Sequence, residues 1–163
     1  MSRSFAFIPP LALTAALLAP ASVATAEPPT PVDPTPEMFA AGEACDFPVS
    51  IVFTGKGGYN ELPNNPQFAA IGPSPALKAT VTNLDTGDTV TVNASGAFRF
   101  VAQPDGSTII HAGGHNFLYA EPSIGVTVLA TTGPITLRNS PEGDFVAADV
   151  SRARVRDLCA ELT

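Results

Sequence analysis

The sequence predicts an all-β fold, an antiparallel two-layer sandwich of about eight to ten short strands, with a closed barrel as the alternative. Apolar and β-branched residues alternate with polar residues in short runs, as they do on strands that bury one face. Turn signals rich in Gly, Pro, Asn and Asp separate these runs about every eight to twelve residues. Most connections have hairpin length, which favours antiparallel pairing.

Residues 1–26 have the features of a secretory signal peptide. An apolar run from Phe5 to Leu18 follows Arg3, and Ala24-Thr25-Ala26 forms a cleavage site of small residues. The run is interrupted by two prolines and is too short to span a bilayer, which takes about 20 residues. We expect cleavage after Ala26, secretion of the mature chain and no stable membrane insertion. The alternative is an anchor that stays attached.

Residues 27–43 are rich in proline and acidic residues and are predicted to form a disordered tether. Closely spaced prolines favour an extended polyproline II spacer over helix or sheet. A single all-β domain is then expected over residues 44–163.

The first strand of the domain is predicted over Phe47–Thr54, with Phe47, Val49, Ile51 and Phe53 facing inward. A flexible glycine-rich turn is expected over residues 55–58. Residues 59–75 contain many prolines and asparagines and are predicted to form a long loop with at most a short strand at its start.

The stretch from Leu77 to Val101 is predicted to contain three consecutive strands joined by two tight turns. An even loop over Leu84–Gly87 places apolar residues opposite each other and threonines opposite each other, so we favour that register. The resulting partners are Val81 with Val90, Ala79 with Val92, and Thr82 with Thr89. Gly87 supplies the positive φ of the first turn, Asp85 bonds the backbone ahead of it, and residues 94–96 are predicted to turn in the same way.

The remaining elements follow from the same signals. Residues 103–107 contain a Pro-Asp-Gly turn, and hairpins are predicted across Gly113-Gly114 and across Thr132-Gly133. Ser151–Cys159 is predicted as a strand that places three arginines on one solvated face, with a short helix as the alternative. The predicted strands of this part of the chain lie over residues 108–112, 115–120, 124–131, 134–138 and 145–148.

Cys45 and Cys159 are the two cysteines of the chain, and they lie near the two ends of the predicted domain. An isolated pair in an exported protein is predicted to form a disulfide, in this case one that joins the ends of the fold. A free nucleophilic cysteine beside a histidine is the less favoured alternative.

The charge of the mature chain excludes some partners. After cleavage, seven Lys and Arg remain against fifteen Asp and Glu, a net charge of −8. A chain this acidic has no electrostatic reason to bind nucleic acid or an anionic membrane surface.

Five pieces of the domain together form a recognisable pattern. They are Cys45-x-Phe47-Pro48, residues 54–57 (Thr-Gly-Lys-Gly), residues 79–87, residues 104–107 (Pro-Asp-Gly-Ser) and residues 155–160. In these pieces the chain resembles small uncharacterised exported proteins of high-GC actinobacteria. The resemblance implies export and one domain bounded by cysteines, and it implies no activity.

Two motifs with known chemistry occur around the first turn. Asp85-Thr86-Gly87 has the Asp-Thr-Gly sequence of aspartic proteases, whose chemistry needs two such aspartates sharing a proton. One copy followed by Asp88 is better explained as a hairpin turn. Asn83, Asp85 and Asp88 only partly match a calcium loop, so they are interpreted as solvated turn residues.

Three further groups of residues have the chemistry of binding or modification sites. His111 and His115 have the chemistry of zinc or copper ligands, but no third ligand is evident nearby, so whether they bind a metal stays open. Arg152, Arg154 and Arg156 suit a carboxylate or phosphate, although pairing with the protein's own acids is favoured. Asn93-Ala94-Ser95 is a glycosylation sequon only in a eukaryotic secretory route.

These observations predict a secreted, non-enzymatic domain, structural or protein-interacting, at or outside the cell envelope. No residues form a coherent catalytic constellation, and no cofactor is expected. The absence of tryptophan and the presence of only two tyrosines disfavour a sugar-binding surface. The alternative function is a carrier that holds a small apolar ligand inside a barrel.

Overall fold

The computed structural model describes residues 27–62, 65, 67–120 and 124–163, so the predicted signal peptide over residues 1–26 lies outside the described residues. The regular secondary structure of the described residues is almost entirely strand, and every pairing in it is antiparallel. The elements are β1 (Thr30–Pro31), β2 (Glu37–Phe39), β3 (Val49–Thr54), β4 (Lys56–Gly57), β5 (Asn60–Glu61), β6 (Ala70–Pro73), β7 (Lys78–Asn83), β8 (Thr89–Asn93), β9 (Gly96–Ala102), β10 (Thr108–Tyr119), β11 (Val128–Thr132), β12 (Ile135–Asn139), β13 (Phe145–Asp149), β14 (Arg154–Asp157) and α1 (Leu158–Glu161).

A four-stranded sheet in the order β2-β3-β7-β8 forms one layer. Its central hairpin has the predicted register, with Val81 opposite Val90, Ala79 opposite Val92 and Thr82 opposite Thr89. The even loop is confirmed, because Gly87 has φ +79° and the Asn83 N–H donates to the carbonyl of Asp88 at 2.9 Å. Apolar pairs thus share the buried face of this sheet, as the alternation requires.

The second layer is built on one long bent ribbon. The C-terminal half of β10 pairs with β11, and its N-terminal half pairs with β12. The two pairings have one continuous register, which steps from Tyr119 opposite Val128 to Thr108 opposite Asn139. The ladder bends where Gly114 and Gly133 take positive φ, and the Gly133 N–H donates to the Gly114 carbonyl at 2.9 Å. We call this place the bend; Gly113, Gly114 and Gly133 define it.

Further strands extend both halves of the ribbon. β14 pairs with β11, and β13 pairs with β12. On the other side of β10, the order continues through β9 and β6 to β5. β9 pairs with β10 from Ala102 opposite Thr108 to Gly96 opposite Gly114, which supports the predicted Pro-Asp-Gly turn between them.

Two apolar clusters hold these sheets together. The first lies between the four-stranded sheet and the C-terminal half of the ribbon, where fully buried Val49, Ile51 and Val81 meet Val128 and Leu158. The second lies on the opposite face of the ribbon, inside its bend. Its members come from both halves: Ile110, Ala112, Leu118, Ile135 and Leu137, with Phe98, Phe100 and Leu129 packed against them. The antiparallel sheets of the described residues are open, with edges at β8, β13 and β14, so the fold is a β-sandwich and not the closed barrel.

Three predicted connections are wrong. Ala94-Ser95-Gly96 is not a hairpin turn: the ladder of β7 and β8 ends where the Ala94 N–H donates to Leu77, and Gly96 already pairs in the other sheet. The Gly113-Gly114 pair bends one twelve-residue strand instead of separating two strands. The predicted hairpin across Thr132-Gly133 is absent, because residues 133–134 connect β11 and β12 in line along β10. In each case the glycine permits a positive φ or a close approach of two backbones. These properties suit a bend in a strand, or a crossing from one sheet to the other, as well as a hairpin turn.

The N-terminal segment also differs from the prediction of a disordered tether. β2 pairs with β3 from Glu37 opposite Ile51 to Phe39 opposite Val49, and β1 pairs with β4 inside the predicted glycine-rich turn. Phe39 packs edge-on against the Tyr119 ring, with ring centroids 5.6 Å apart. A strand at the edge of a sheet pairs on one side only, so only alternate N–H groups need a partner. Proline, which lacks an N–H, is therefore tolerated in or beside short edge strands.

The predicted loop over residues 59–75 contains more strand than expected. β6 pairs with β9 over four residues, from Ala70 opposite Phe100 to Pro73 opposite Ala97. β5 pairs with β6 at the start of the segment. The prolines obscured this strand, because proline depletes sheets in general but is tolerated at strand ends and edges.

Ser151–Cys159 is divided between the two predicted alternatives. β14 forms its middle, and α1 begins after Asp157, whose side chain accepts from the Ala160 N–H at 3.1 Å. This capping places Leu158 in the first cluster and Cys159 beside Cys45. The two sulfur atoms lie at disulfide distance, and the Cα atoms are 5.6 Å apart.

Candidate functional site

A row of polar side chains crosses the outer face of the bent sheet beside the bend. His111 on β10 lies opposite Arg99 on β9 and opposite Thr136 on β12, and Thr136 lies opposite Asp149 on β13. Cross-strand partners share a face, so these four side chains stand on the face opposite the apolar cluster of the bend. At a strand spacing of about 4.8 Å, the row spans about 14 Å from Arg99 to Asp149.

The row borders a groove of about 660 Å³. Backbone and small residues at the bend form its floor. The space above Gly113 is open, since a Cβ at that position would meet no atom within 4 Å. Arg99 and His111 lie at one end, and Asp149 and Arg152 lie at the other. We call this depression the bend groove.

Arg99 is held in place without using its hydrogen-bond donors. Its guanidinium carbon lies 5.6 Å from the centroid of the Phe68 ring, within the range of a cation–π contact. Within the described ranges Arg99 takes part in no ion pair, and the guanidinium donates no hydrogen bond. The stacked face positions the planar group and leaves the N–H groups on its edge available to a ligand.

Asp149 keeps its negative charge at the far end of the bend groove. Its Oδ1 accepts from the Ser151 N–H at 3.0 Å. The Ser151 side chain, the Ser151 N–H and the nearby Arg152 hold the pKa of Asp149 below its usual range. The groove therefore has a cationic end at Arg99 and a mixed end at Asp149 and Arg152.

A second groove of about 520 Å³ lies on the other side of the bend, between the open edges of β8 and β14. We call it the edge groove; Asn93, His115, Thr132, Arg154 and Arg156 contribute to its walls. His115 Nδ1 lies 3.2 Å from Thr132 Oγ1. Arg156 is bound to Glu161 by two charge-assisted hydrogen bonds of 3.0 and 2.6 Å, which lower the pKa of that carboxyl.

The structure separates the two histidines that the sequence singled out. They lie four positions apart on one strand, which corresponds to about 13 Å, and they line different grooves. The described residues contain no group of three His, Cys, Asp or Glu side chains that could hold a metal ion.

The three candidate arginines are placed differently from the prediction. Arg152 precedes β14 and borders the bend groove, while Arg154 and Arg156 share one face of β14. Pairing with the protein's own acids holds for Arg156, but in the described part of the chain neither Arg152 nor Arg154 forms an ion pair.

The acidic turn forms no site. Asp85, Thr86 and Gly87 occupy the exposed loop of the β7–β8 hairpin. The Asn83 side chain turns inward, where its Nδ2 donates to the Leu162 carbonyl at 2.9 Å and its Oδ1 accepts from the Asp85 N–H at 2.9 Å. Asn83, and not Asp85, therefore bonds the turn backbone.

Sequence reasoning missed Arg99 as a site residue, because an arginine on an alternating strand reads as a solvated position. The available signal was its place directly across the predicted Pro-Asp-Gly turn from His111, which a register count along that hairpin would have given.

The fold and its grooves define an all-β sandwich domain with a row of polar side chains across a bent sheet. No protein-family model matches the chain, and neither a curated protein nor a solved structure matches it. None of the described residues belongs to a helix long and apolar enough to cross a membrane.

Proposed function

We propose that the chain is an exported, non-enzymatic binding domain that contacts a protein partner at or outside the cell envelope through its two grooves. One observation carries the proposal. Of the seven Lys and Arg that follow residue 26, four line the bend groove or the edge groove: Arg99, Arg152, Arg154 and Arg156. On a mature chain of net charge −8, this concentration of arginines at the two grooves, of which Arg156 alone is paired within the described residues, with Glu161, favours a partner with complementary negative charge.

Export is supported by two features. Residues 1–26 have the pattern of a cleaved signal, and Cys45 and Cys159 lie at disulfide distance, as is common in proteins of oxidising compartments.

The carrier alternative needs an apolar interior inside a closed barrel. The sheets of the described residues are open and pack their apolar faces into two clusters, which supports the binding domain over the carrier. Guanidinium, imidazole and hydroxyl groups on a rigid sheet suit binding of negative charge.

Export is tested by expressing residues 1–163 in a high-GC actinobacterium and measuring the intact mass of the protein in the medium. We expect the mass of residues 27–163 with both cysteines oxidised. Retention of the chain in the cell would contradict export, and a mass that includes residues 1–26 would contradict cleavage after Ala26.

Binding is tested with the purified mature protein and envelope proteins of the same host, with quantitative cross-linking. The triple variant R99Q/R152Q/R154Q removes three charges from the grooves, and K56Q/K78Q/R138Q removes three charges elsewhere. We expect a partner whose yield falls at least tenfold with the first variant and less than twofold with the second. Equal losses with both variants, or no partner that distinguishes them, would refute the proposed surface.

A further inference from the structure

We propose that the bend groove binds an acidic side chain of an extended peptide segment, with the carboxylate between Arg99 and His111 and the peptide backbone over Gly113. This inference rests on the proposed function, since it specifies the partner chemistry that one of the two grooves recognises. The proposed ligand is a peptide with one acidic residue, which lies at the Arg99 end of the bend groove.

The first step of the argument is the state of Arg99. Its guanidinium is stacked on the Phe68 ring, and within the part of the chain that the structure describes it donates to no acceptor. A planar fork with free edge donors matches the two oxygens of a carboxylate. Because the ring holds the fork in place, a ligand loses less side-chain entropy when it binds there.

The second step is the neighbour across the strand. His111 is the direct cross-strand partner of Arg99. The Cα atoms of the two residues therefore lie about 5 Å apart, and their side chains share one face of the sheet. A carboxylate that accepts two hydrogen bonds from Arg99 thus has a second polar group beside it. Thr136, on the next strand, adds a hydroxyl further along the row.

The third step concerns the floor. Gly113 lies between His111 and His115 on the same strand, and the space above its Cα is empty to 4 Å. A backbone approaches a glycine more closely than any other residue. A path of about 14 Å along the row fits about four residues of extended chain at 3.3 Å per residue.

The fourth step is the far end, which sets specificity. Asp149 lies there beside Arg152, and its Oδ1 accepts from the Ser151 N–H at 3.0 Å. The Asp149 carboxylate disfavours a second acidic residue close to it, whereas it suits a peptide N–H as a donor. The same carboxylate and the net charge of the chain disfavour a polyphosphate backbone.

The test uses the oxidised mature protein, residues 27–163, in a ¹H–¹⁵N NMR titration. The probe is the peptide acetyl-Glu-Ala-Ala-Ala amide, and its control is the same peptide with Gln in place of Glu. We expect saturable shifts of the Arg99 side-chain N–H and of the Gly113 and Gly114 amides, with a dissociation constant on the order of 1 mM. The Gln peptide should bind at least tenfold more weakly.

Four variants separate the named contacts from general charge. R99Q should lower the affinity at least tenfold, and R99K should lower it severalfold because lysine keeps the charge but lacks the fork. G113V fills the open space above the floor and should also lower the affinity tenfold, while its spectrum reports an intact fold. R138Q removes an arginine that pairs with Asp105 outside both grooves and should change the affinity less than twofold.

Four results would overturn the inference. Three of them are the absence of saturable shifts at a peptide concentration ten times the expected dissociation constant, equal binding of the Gln peptide, and wild-type affinity in a folded G113V protein. Glutarate that saturates the same signals as tightly as the peptide would also overturn it, because the site would then be a simple anion site. Peptide binding without any partner in the cross-linking experiment would leave this inference standing and refute the proposed function.

Discussion

At the residue scale, Asn83 connects two distant parts of the chain. It is almost fully buried, it accepts from the Asp85 N–H at 2.9 Å, and it donates to the Leu162 carbonyl at 2.9 Å. One side chain therefore shapes the β7–β8 turn and secures the C-terminal residues. Removing one partner of a buried hydrogen bond costs more free energy than the net value of that bond. The group that remains is buried with neither its partner nor water to bond.

Asn83→Ala is expected to lower the free energy of unfolding by about 2 kcal/mol, since it leaves the Leu162 carbonyl without its donor. The control is Asn93→Ala, which removes an exposed side chain that accepts from Ser95 and should cost about 0.5 kcal/mol. Urea unfolding followed by circular dichroism measures both. Equal costs for the two variants would show that the contact with Leu162 contributes nothing.

Asp105 gives a prediction of pH dependence. The Ser107 side chain first, the Ser107 N–H second and Arg138 more weakly lower the pKa of Asp105 below its ordinary value of 3.8. A lowered pKa stabilises the folded protein above pH 3.8, and this contribution is lost as the pH falls through the folded-state pKa. In an NMR titration of the carboxyl carbon, Ser107→Ala should raise the pKa of Asp105 more than Arg138→Gln does. The reverse order would contradict the assignment of Ser107 as the main cause.

Side-chain alternation predicted most residue-scale features correctly. The pairs Val81–Val90 and Thr82–Thr89 follow from matching faces, and this information is local. The role of Asn83 did not follow, because its partner Leu162 is distant in sequence and only the folded chain brings the two together.

At the element scale, Gly96 marks the place where the chain leaves the four-stranded sheet. A Cβ at this position would lie 2.6 Å from Asn116 Oδ1 and 2.8 Å from the His115 carbonyl oxygen. The crossing strand thus approaches β10 more closely than any side chain permits. Gly113 belongs to the next residue pair of the same ladder, opposite Ala97, and a Cβ there would have open space instead.

Gly96→Ala is expected to lower the free energy of unfolding by about 3 kcal/mol, because backbone atoms of β10 must shift to admit the methyl group. Gly113→Ala is the matched control and should change it by no more than about 0.5 kcal/mol. Thermal unfolding of the two purified variants measures the difference. A tolerated Gly96→Ala protein would mean that the two sheets are joined less tightly than the distances indicate.

The N-terminal strand gives a second prediction for an element. Phe39→Ala should lower the free energy of unfolding by about 1–2 kcal/mol, because the Phe39 ring is half-buried against Tyr119. Its neighbour Met38 is 62% exposed, so Met38→Ala should cost less than about 0.5 kcal/mol. Urea unfolding distinguishes the two. Indifference to both changes would restore the disordered tether over residues 27–43.

The predictions from composition are wrong for residues 27–43 and for the Gly113-Gly114 pair, and the physical reasons are related. Proline content indicates what a chain does alone, whereas β2 is formed because β3 offers it an open edge. A Gly-Gly pair indicates positive φ, but it does not tell whether the chain reverses or bends, and the partners β11 and β12 determine which.

At the scale of the whole molecule, the cysteine pair joins elements 114 residues apart. Closing a loop of that length is worth about 4–5 kcal/mol in the chain-entropy model. The double variant C45S/C159S should therefore unfold at a clearly lower urea concentration than the oxidised protein. Equal midpoints would show that the unfolded state is already compact or that the bond does not form.

Alkylation tests the bond itself. Without reductant, no cysteine of the secreted protein should be modified, and after reduction in denaturant both should be. Modification of both cysteines before reduction would contradict the disulfide.

The sandwich itself was predictable, because strand periodicity and turn spacing are written along the chain. The candidate site was predictable only in pieces: His111 and Arg152 stood out as residue types, but Arg99 and its Phe68 support did not. Their meeting depends on β6, β9 and β10 lying side by side, which is a property of sheet order and not of any local pattern.

The position of the cysteine pair also determines how the domain carries tension. The Cα atoms of Cys45 and Cys159 are 5.6 Å apart and lie near the two ends of the folded chain. When the oxidised protein is pulled from beyond these residues, the load passes through the sulfur bridge and bypasses residues 46–158. That part of the chain is shielded from mechanical unravelling, whereas β1 and β2, which precede Cys45, bear the force and are peeled from their partners β4 and β3. The extensible part of the oxidised chain is therefore the segment before Cys45.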